Sequence, residues 1–467
     1  IASGDNVGDQ WLYVSTPNEG FINVTIKPIS GDRSDWKTKS INAKNPWIFP
    51  VFSSTFNGLN SGAILDLNST SNSVIDNAGY IIESEDVTYV SFRFNSTEVS
   101  GGRQYHSGAY VSKGAAALGT RFRPGNFIGV PGYTNGGNSS EGHSFISILA
   151  TEDNTRVRIS NIPSGVSILN FSGATNLEQV LQQNESWILG ITATTYDIRN
   201  NDDQIKAFVG SLISTSDHLG STIEKPVVVV SGSIENTALS DPDIANRDFG
   251  LDQIVGADKV GHEYILIRGL GHTEIEKVYV IADSDNTEVF RGSRTTPVML
   301  NEGEHVVYSY NDYESTGNLY ITTKNPAKKL FVYQTTGYDA RANQALVFVP
   351  PLSCSTRGNI DNIPEIDKIG SKEFTGGTLS IVTEDTAVLE IYKTDGSGNE
   401  ILFADSSGSA AVNLASLAKT VIGKPGYNTY LLDSNGTNSL SGNISVFSDK
   451  ELYVSSTTYG DAASSGS

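Results

Sequence analysis

The chain has 467 residues, which at ~150 residues per domain suggests about three domains. Its 32 Lys and Arg face 52 Asp and Glu, a formal charge of -20. A phosphate-neutralising surface needs clustered cations, so nucleic acid and anionic lipid are not expected partners. Hydrophobic residues reach 38% and charged residues only 18%, with 46 Gly, the profile of a folded β-type chain and not of a disordered one.

Apolar/polar alternation runs along the sequence, and helical periodicity is nearly absent. Trp11-Leu12-Tyr13-Val14, Tyr89-Val90-Ser91-Phe92-Arg93-Phe94, Ser144-Phe145-Ile146-Ser147-Ile148-Leu149 and Leu319-Tyr320-Ile321-Thr322 each fit a short strand. Pro, Gly, Asn and Asp clusters separate such runs, as β connections require. Helix is expected only at residues 177–183 and 412–419, a turn or two each. No apolar run reaches the ~18 residues a membrane helix needs, so no membrane insertion is expected. Cys354 stands alone, which permits neither an intrachain disulfide nor a four-cysteine zinc site. With the bias toward Asn, Thr, Ser and Tyr, this fits a bacterial surface protein that relies on β ladders and ions. Ile1 opens the chain without a charged and apolar leader, so a signal peptide is expected to be removed or to lie outside the fragment. The last residues, Ala462-Ala463-Ser464-Ser465-Gly466-Ser467, read as a cut inside a longer protein.

Internal repeats set the architecture. Ile148-Leu149-Ala150-Thr151-Glu152-Asp153-Asn154-Thr155-Arg156-Val157 aligns without gaps on Val280-Ile281-Ala282-Asp283-Ser284-Asp285-Asn286-Thr287-Glu288-Val289, and a weaker copy spans residues 381–388. The pattern reads as a hairpin: an apolar strand, a capping Asp-Asn-Thr turn and a β-branched return strand. Each copy follows a glycine with an aromatic shortly after it, at Gly119/Phe122, Gly261/Tyr264 and Gly370/Phe374. Each also precedes a polar turn feeding an apolar strand, at residues 224–230, 325–332 and 448–454, and residues 84–90 play this part in a degenerate first copy. The expectation is an all-β chain of four tandem β-sandwich-like units: 1–100, 101–236, 237–353 and 354–467. A unit of about 115 residues with seven or eight strands has the size of one sandwich. The alternative is a β-propeller in which each repeat unit supplies two blades.

These residues resemble a known family, the N-terminal domain of IgGFc-binding proteins, found in large bacterial surface proteins of Bacteroidetes type. The resemblance rests on Gly261-His262-Glu263-Tyr264, on the Ala-x-x-Asp-Asn-Thr-x-Val segments from Ala150 and Ala282, and on Leu300-Asn301-Glu302-Gly303-Glu304. Lys225-Pro226-Val227-Val228-Val229 and Val347-Phe348-Val349-Pro350-Pro351 complete it, and the first hundred residues are the least similar. It implies a recognition or adhesion module in a large extracellular multidomain protein, and it names no ligand for this chain.

The search for chemistry yields no catalytic residues. No Gly-x-Ser-x-Gly elbow occurs, and Cys354 follows a Pro-Pro-Leu strand end as a packed thiol would. His106, His143, His218, His262, His272 and His305 lack chelating spacing and read as loop residues. Calcium is the candidate cofactor, because hard cations want several oxygen ligands. Asp241, Asp243, Asn246 and Asp248 concentrate such oxygens in one inter-unit loop, and residues 200–203 form a second patch, although neither has EF-hand spacing. Trp36, Trp47, Tyr133 and Tyr338 fall on loop-rich stretches where aromatic faces could stack on sugars or anchor a protein, whereas Trp187 reads as core. The favoured function is non-enzymatic extracellular recognition of a surface glycan or glycoprotein. A structural spacer and an extracellular polysaccharide-acting enzyme are the alternatives.

Overall fold

The structure is a computed structural model. It describes residues 7–29, 32–52, 71–76, 78–96, 99–100, 103–104, 107–129, 141–171, 177–194, 202–238, 248–338, 344–352, 360–394, 399–433, 440–459 and 464–466. Among these the chain is all-β: eight sheets of three to five strands, two two-stranded ribbons and one four-residue α-helix, Asp202–Ile205. The sheets stack in pairs as four sandwiches, and among the described residues no sheet closes into a barrel or a propeller.

The third sandwich shows the plan. Its first sheet runs His305–Tyr308, Lys277–Ala282, Leu330–Gly337, Gln344–Phe348, and its second runs Glu263–Ile267, Asn318–Thr322, Thr287–Arg291, Val298–Leu300. The first sheets of the other units repeat that order around Val7–Ser15, Glu141–Ala150 and Gly376–Glu384, the strands equivalent to Lys277–Ala282. Each unit's last strand pairs with the strand before it, as Ser107–Ser112 does with Tyr89–Ser96 and Asp248–Ile254 with Val227–Asn236. These sheets therefore run past residues 100 and 236, and we propose unit borders after Ser112, Ile254 and Phe348.

Two sequence expectations change here. The Asp-Asn-Thr segment is not a hairpin. Glu141–Ala150 pairs with strands of the first sheet, while Thr155–Ser160 pairs only with strands of the second. The same holds for Lys277–Ala282 and Thr287–Arg291, so the motif is an arch that carries the chain across the sandwich core. The stretch expected as helix at 177–183 is a strand, Leu177–Leu181, on the flank of Thr155–Ser160. At 412–419 a two-residue strand leads into one 3-10 turn, Leu414–Ser416. Apolar residues four apart, such as Leu177 and Leu181, satisfy both helical and strand periodicity, and the ladder to Thr155–Ser160 decides between them.

The arch consumes its own side chains. Asn154 and Asn286 adopt left-handed backbone at φ 57 and 52, which Asn tolerates better than most residues. Thr155 and Thr287 hydroxyls donate to the carbonyls of Glu152 and Ser284 at 2.7 and 2.6 Å. Asp153 and Asp285 accept the N–H groups of Gln183 and Glu302, both at 3.0 Å, which locks each arch to the turn that carries Leu300-Asn301-Glu302-Gly303-Glu304 in the third unit.

Every first sheet is buried on both faces. In Lys277–Ala282, Val278, Val280 and Ala282 join the third core, whereas Tyr279 and Ile281 join the core of the second unit. Phe145 and Ile188 of the second unit likewise reach the first core, and Val382 of the fourth meets Ile265 and Tyr320 of the third. The first unit packs its outer row, including Trp11, against Ile369 and Phe374 of the fourth, closing a ring.

At the joint between units two and three, backbones touch. A Cβ on Gly303, at φ +80, would lie 2.9 Å from Gly210 O and 3.2 Å from Arg123 Nη1, whereas Gly165, at φ +89, has open space around it. Gly165→Ala therefore costs only the left-handed backbone penalty of ~1–2 kcal/mol. Gly303→Ala is expected to cost about 1–3 kcal/mol more, from overpacking. Chemical denaturation of the two variants checks this, and equal losses would refute the backbone joint.

Candidate functional site

The expected aromatic platform separates on folding. Trp47 lies in Trp47–Phe52 and packs edge-on against Phe49, with ring centroids 5.5 Å apart, beside the first core. It is a packing residue. Tyr338 sits half-buried in the third unit, bridged to Leu270, and Tyr133 lies outside the described residues. Trp187 is core, as expected. Of the acidic loop, Asp241, Asp243 and Asn246 lie outside the described residues. Asp248 is buried in a strand, and its oxygens accept the N–H groups of Phe249 and Gln344 at 2.9 and 3.0 Å. Among the described residues no three His, Cys, Asp or Glu side chains gather as metal ligands. His143 is not a loop residue but lies buried in Glu141–Ala150 beside the Thr192 hydroxyl.

Trp36 remains on a surface. In Ile22–Pro28 the residues Ile22, Val24 and Ile26 face the core, so Asn23, Thr25 and Lys27 face outward. Trp36 ends the 3-10 turn Arg33–Asp35 and is half-buried, with Lys27 Nζ 4.1 Å and the Arg33 guanidinium 5.3 Å from its ring centre. Thr25 pairs with Thr38 at 2.9 Å, Ser40 donates to Asn23 Oδ1 at 2.6 Å, and Asn23 donates to both oxygens of Glu85. Phe21, 66% exposed, stands just before this row. The result is an outward face of hydroxyls, amides and carboxylates with an aromatic ring towards each end. Lys37 and Lys39 lie opposite Ile26 and Val24, on the core side of the edge strand, where lysine discourages pairing with another chain.

A second candidate lies where the four units meet. A cavity of about 320 Å³ is bounded by Tyr13 and Arg93 of the first unit, Asp252 of the second, Phe348 of the third and Ile363 and Val454 of the fourth. Its walls are mostly apolar, as ligand pockets usually are. Lys113 Nζ donates to Asp252 Oδ1 at 2.7 Å, and the second Asp252 oxygen accepts the N–H of Phe348 at 2.8 Å. Burial pushes the Asp252 carboxyl above its ordinary value despite this lysine. Arg93 Nη atoms donate to the carbonyls of Pro364, Glu365 and Lys368 at 2.8, 2.7 and 3.2 Å, and its guanidinium lies 3.9 Å over the Tyr13 ring. Burial pushes the Arg93 value down. These groups wall the cavity and hold the ring shut. Sequence reading missed them, because each looks like an ordinary strand residue and only the ring brings them together.

Arg93→Met leaves one buried and two partly buried carbonyls of the fourth unit without their donor. The expected cost is about 3 kcal/mol or more. Hydrogen exchange should show lost protection at residues 364–370 with the joint between units two and three unchanged, and unchanged protection at 364–370 would refute the latch.

The carboxyl of Glu276 lies away from both candidates. It accepts the N–H groups of Gly269, Gly271 and Gly337 and the Thr336 hydroxyl, so it braces the segment before its own strand. Burial pushes it up from 4.5 to about 7, against those donors. With its folded value raised, its contribution to stability is full at acid pH and is lost as pH rises from 4.5 towards 7. That loss is roughly 3 kcal/mol at most. Glu276→Gln is expected to flatten this part of the stability profile, and an unchanged slope would refute it.

No helix among the described residues is long and apolar enough to cross a membrane. No curated protein and no solved structure matches the chain. A family model described as IgGFc binding protein matches residues 108–448. That span begins in the last strand of the first unit and takes in the second and third units and most of the fourth. The chain therefore belongs to the IgGFc-binding protein family.

Proposed function

We propose that the chain is a non-enzymatic recognition region of a secreted or cell-surface multidomain protein, and that its partner is a glycoprotein or its glycan. Family membership over residues 108–448 carries this reading, because the family is described by its binding of an immunoglobulin fragment, itself a glycoprotein. The outward face of the first unit supports it: Trp36 and Phe21 offer ring faces, and Asn23, Thr25, Thr38 and Ser40 offer the donors and acceptors that sugar hydroxyls need. The charge of -20 disfavours polyanionic partners. A spacer is the second reading. The ring speaks against it, since a stalk gains nothing from a first unit latched to the fourth through Arg93. Calcium belongs to the proposal through the oxygens of Asp241, Asp243 and Asn246, with Asp248 able to join only through lone pairs left beside its bonds to the Phe249 and Gln344 N–H groups.

A glycan and glycoprotein array tests the reading, with immunoglobulin Fc in glycosylated and deglycosylated form, in calcium and then in EDTA. Specific signals are expected, and Trp36→Ala is expected to weaken them about tenfold or more, as loss of an interface anchor does. Signals that survive Trp36→Ala would move the site off the first unit. Signals and melting temperature unchanged in EDTA would remove calcium alone. Silence throughout would leave the spacer, and glycan turnover abolished by one carboxylate substitution would replace recognition with catalysis.

A further inference from the structure

Among the described residues the second sheet of the first unit is one strand short, and a cleft opens beside the bare edge. In the other units the matching edge is covered: Arg121–Phe122 flanks Leu212–Asp217, Glu263–Ile267 flanks Asn318–Thr322, and Ile360–Ile363 flanks Ile444–Ser448. The first-unit equivalent, Tyr80–Ser84, pairs among the described residues with Ile22–Pro28 alone. Phe122 and Tyr264, carried in by the covering strands, are fully buried. We propose that Tyr80–Ser84 binds an extended peptide segment of a partner protein, which adds the fourth strand and sets an aromatic side chain in the cleft.

The edge has the chemistry for pairing. Bonds from Ile29 N–H to Gly79 O and from Glu85 N–H to Asn23 O bracket the ladder with Ile22–Pro28. Antiparallel alternation then gives residues 81 and 83 to that ladder and turns the N–H and C=O groups of Tyr80, Ile82 and Ser84 to the bare side. The opposite edge of the sheet carries Lys37 and Lys39, a usual guard against strand addition. Tyr80-Ile81-Ile82-Glu83-Ser84 has neither Lys nor Pro, and Ile81 is 41% exposed.

The cleft has the room. Its volume is about 720 Å³, between Tyr80, Phe92 and Tyr110 of the first unit and Ser147, Val228 and Val230 of the second. Val227 and Leu330 N–H groups donate to the carbonyls of Gly119 and Gly261, which matches Val228 with Phe331 and Val230 with Tyr333. Ser147 matches Tyr279 in the aligned repeats. Tyr279, Phe331 and Tyr333 are fully buried and close the joint between units two and three. A serine and two valines in their place leave Leu149, Val228 and Val230 half-buried, whereas Phe145 and Ile188 further along are covered by the first core. Lys113 alone among the lining residues is charged, and it is paired with Asp252, so the space suits an uncharged ring.

The test uses the whole chain and a fluorescent peptide with the sequence of residues 261–268, the strand that covers this edge in the third unit. Saturable binding is expected by anisotropy, with the amides of Tyr80, Ile82 and Ser84 passing from fast to slow hydrogen exchange. Within the peptide, Tyr264→Ala removes the ring and Leu266→Pro removes a ladder donor, and each is expected to weaken binding about tenfold or more. In the chain, Ser147→Tyr with Val228→Phe restores rings found at the closed joint and is expected to abolish binding, with exchange at residues 364–370 unchanged as the check on folding. Trp36→Ala should leave peptide binding unchanged, so this test and the array fail independently. Slow exchange of the three amides in the chain alone would show the edge already filled, by this chain or a second copy, and would overturn the proposal. Equal binding of the Leu266→Pro peptide, or no saturable binding, would also overturn it.

Discussion

Burial of both faces of each first sheet is the constraint on which the molecule depends. A sandwich needs one buried row per strand, and these strands bring two. Tyr279, Ile281, Phe331 and Tyr333 belong to the third unit by sequence but to the second unit's core by packing. Left in water, each would forfeit ~1.5–3 kcal/mol of burial. Units two, three and four therefore cannot stand alone, and each covers its outer row with the unit before it. The outer row of the first unit is covered by the fourth. That row is accordingly different, with Tyr13, Arg93 and Asn95 beside Trp11, and the joint is built from hydrogen bonds to the backbone at 364–370. A polar row tolerates water until the last unit arrives, as an apolar one would not.

The same constraint explains what the repeated motifs do. Asp153, Thr155, Asp285 and Thr287 hold arches, and Gly303 gives way to a neighbouring backbone. Side chains so engaged serve the scaffold, and the same ones serve it in both units. Recognition has to come from what differs between units, such as the face around Trp36, or from what the assembly creates, such as the junction cavity. Resemblance in the repeats thus identifies the scaffold and stops short of the ligand.

How much was legible follows from range. Strands carried by alternating apolar runs, such as Tyr89–Ser96 and Asn318–Thr322, read directly from the sequence. The arch did not, because a turn between two β-runs looks the same whether the runs pair with each other or with distant strands. Glu141–Ala150 takes its partners from Ser186–Thr194 and Val227–Asn236, tens of residues away. Trp47 read as a loop aromatic because Pro46 and Pro50 obscured its strand, which pairs with Val7–Ser15. Asp248 read as one oxygen of an acidic cluster, yet its carboxylate serves Gln344, 96 residues on. The cavity was the least legible feature, since its lining runs from Tyr13 to Ser456 and carries no local signature.

A ring of similar units must also be assembled in one order, and the joints carry the information for it. Between units two and three the cation comes from the earlier unit: fully buried Arg123 donates to Asp283 and Glu302 of the arch that follows. Between units three and four the signs are reversed. Glu263, two residues after Gly261 as Arg121 is after Gly119, meets Lys424 of the fourth unit at 2.7 Å. If the third unit docked on the arch of another copy of itself, Glu263 would face Asp283 and Glu302, a like-charge contact that costs both the lost pair and the repulsion. If the second unit docked on the fourth, Arg121 would face Lys424. The order of the first sheets, the same in each unit, cannot tell one neighbour from another. Alternating the sign of a partly buried ion pair can, so these charges are better understood as specifying the order of the ring than as adding to its stability.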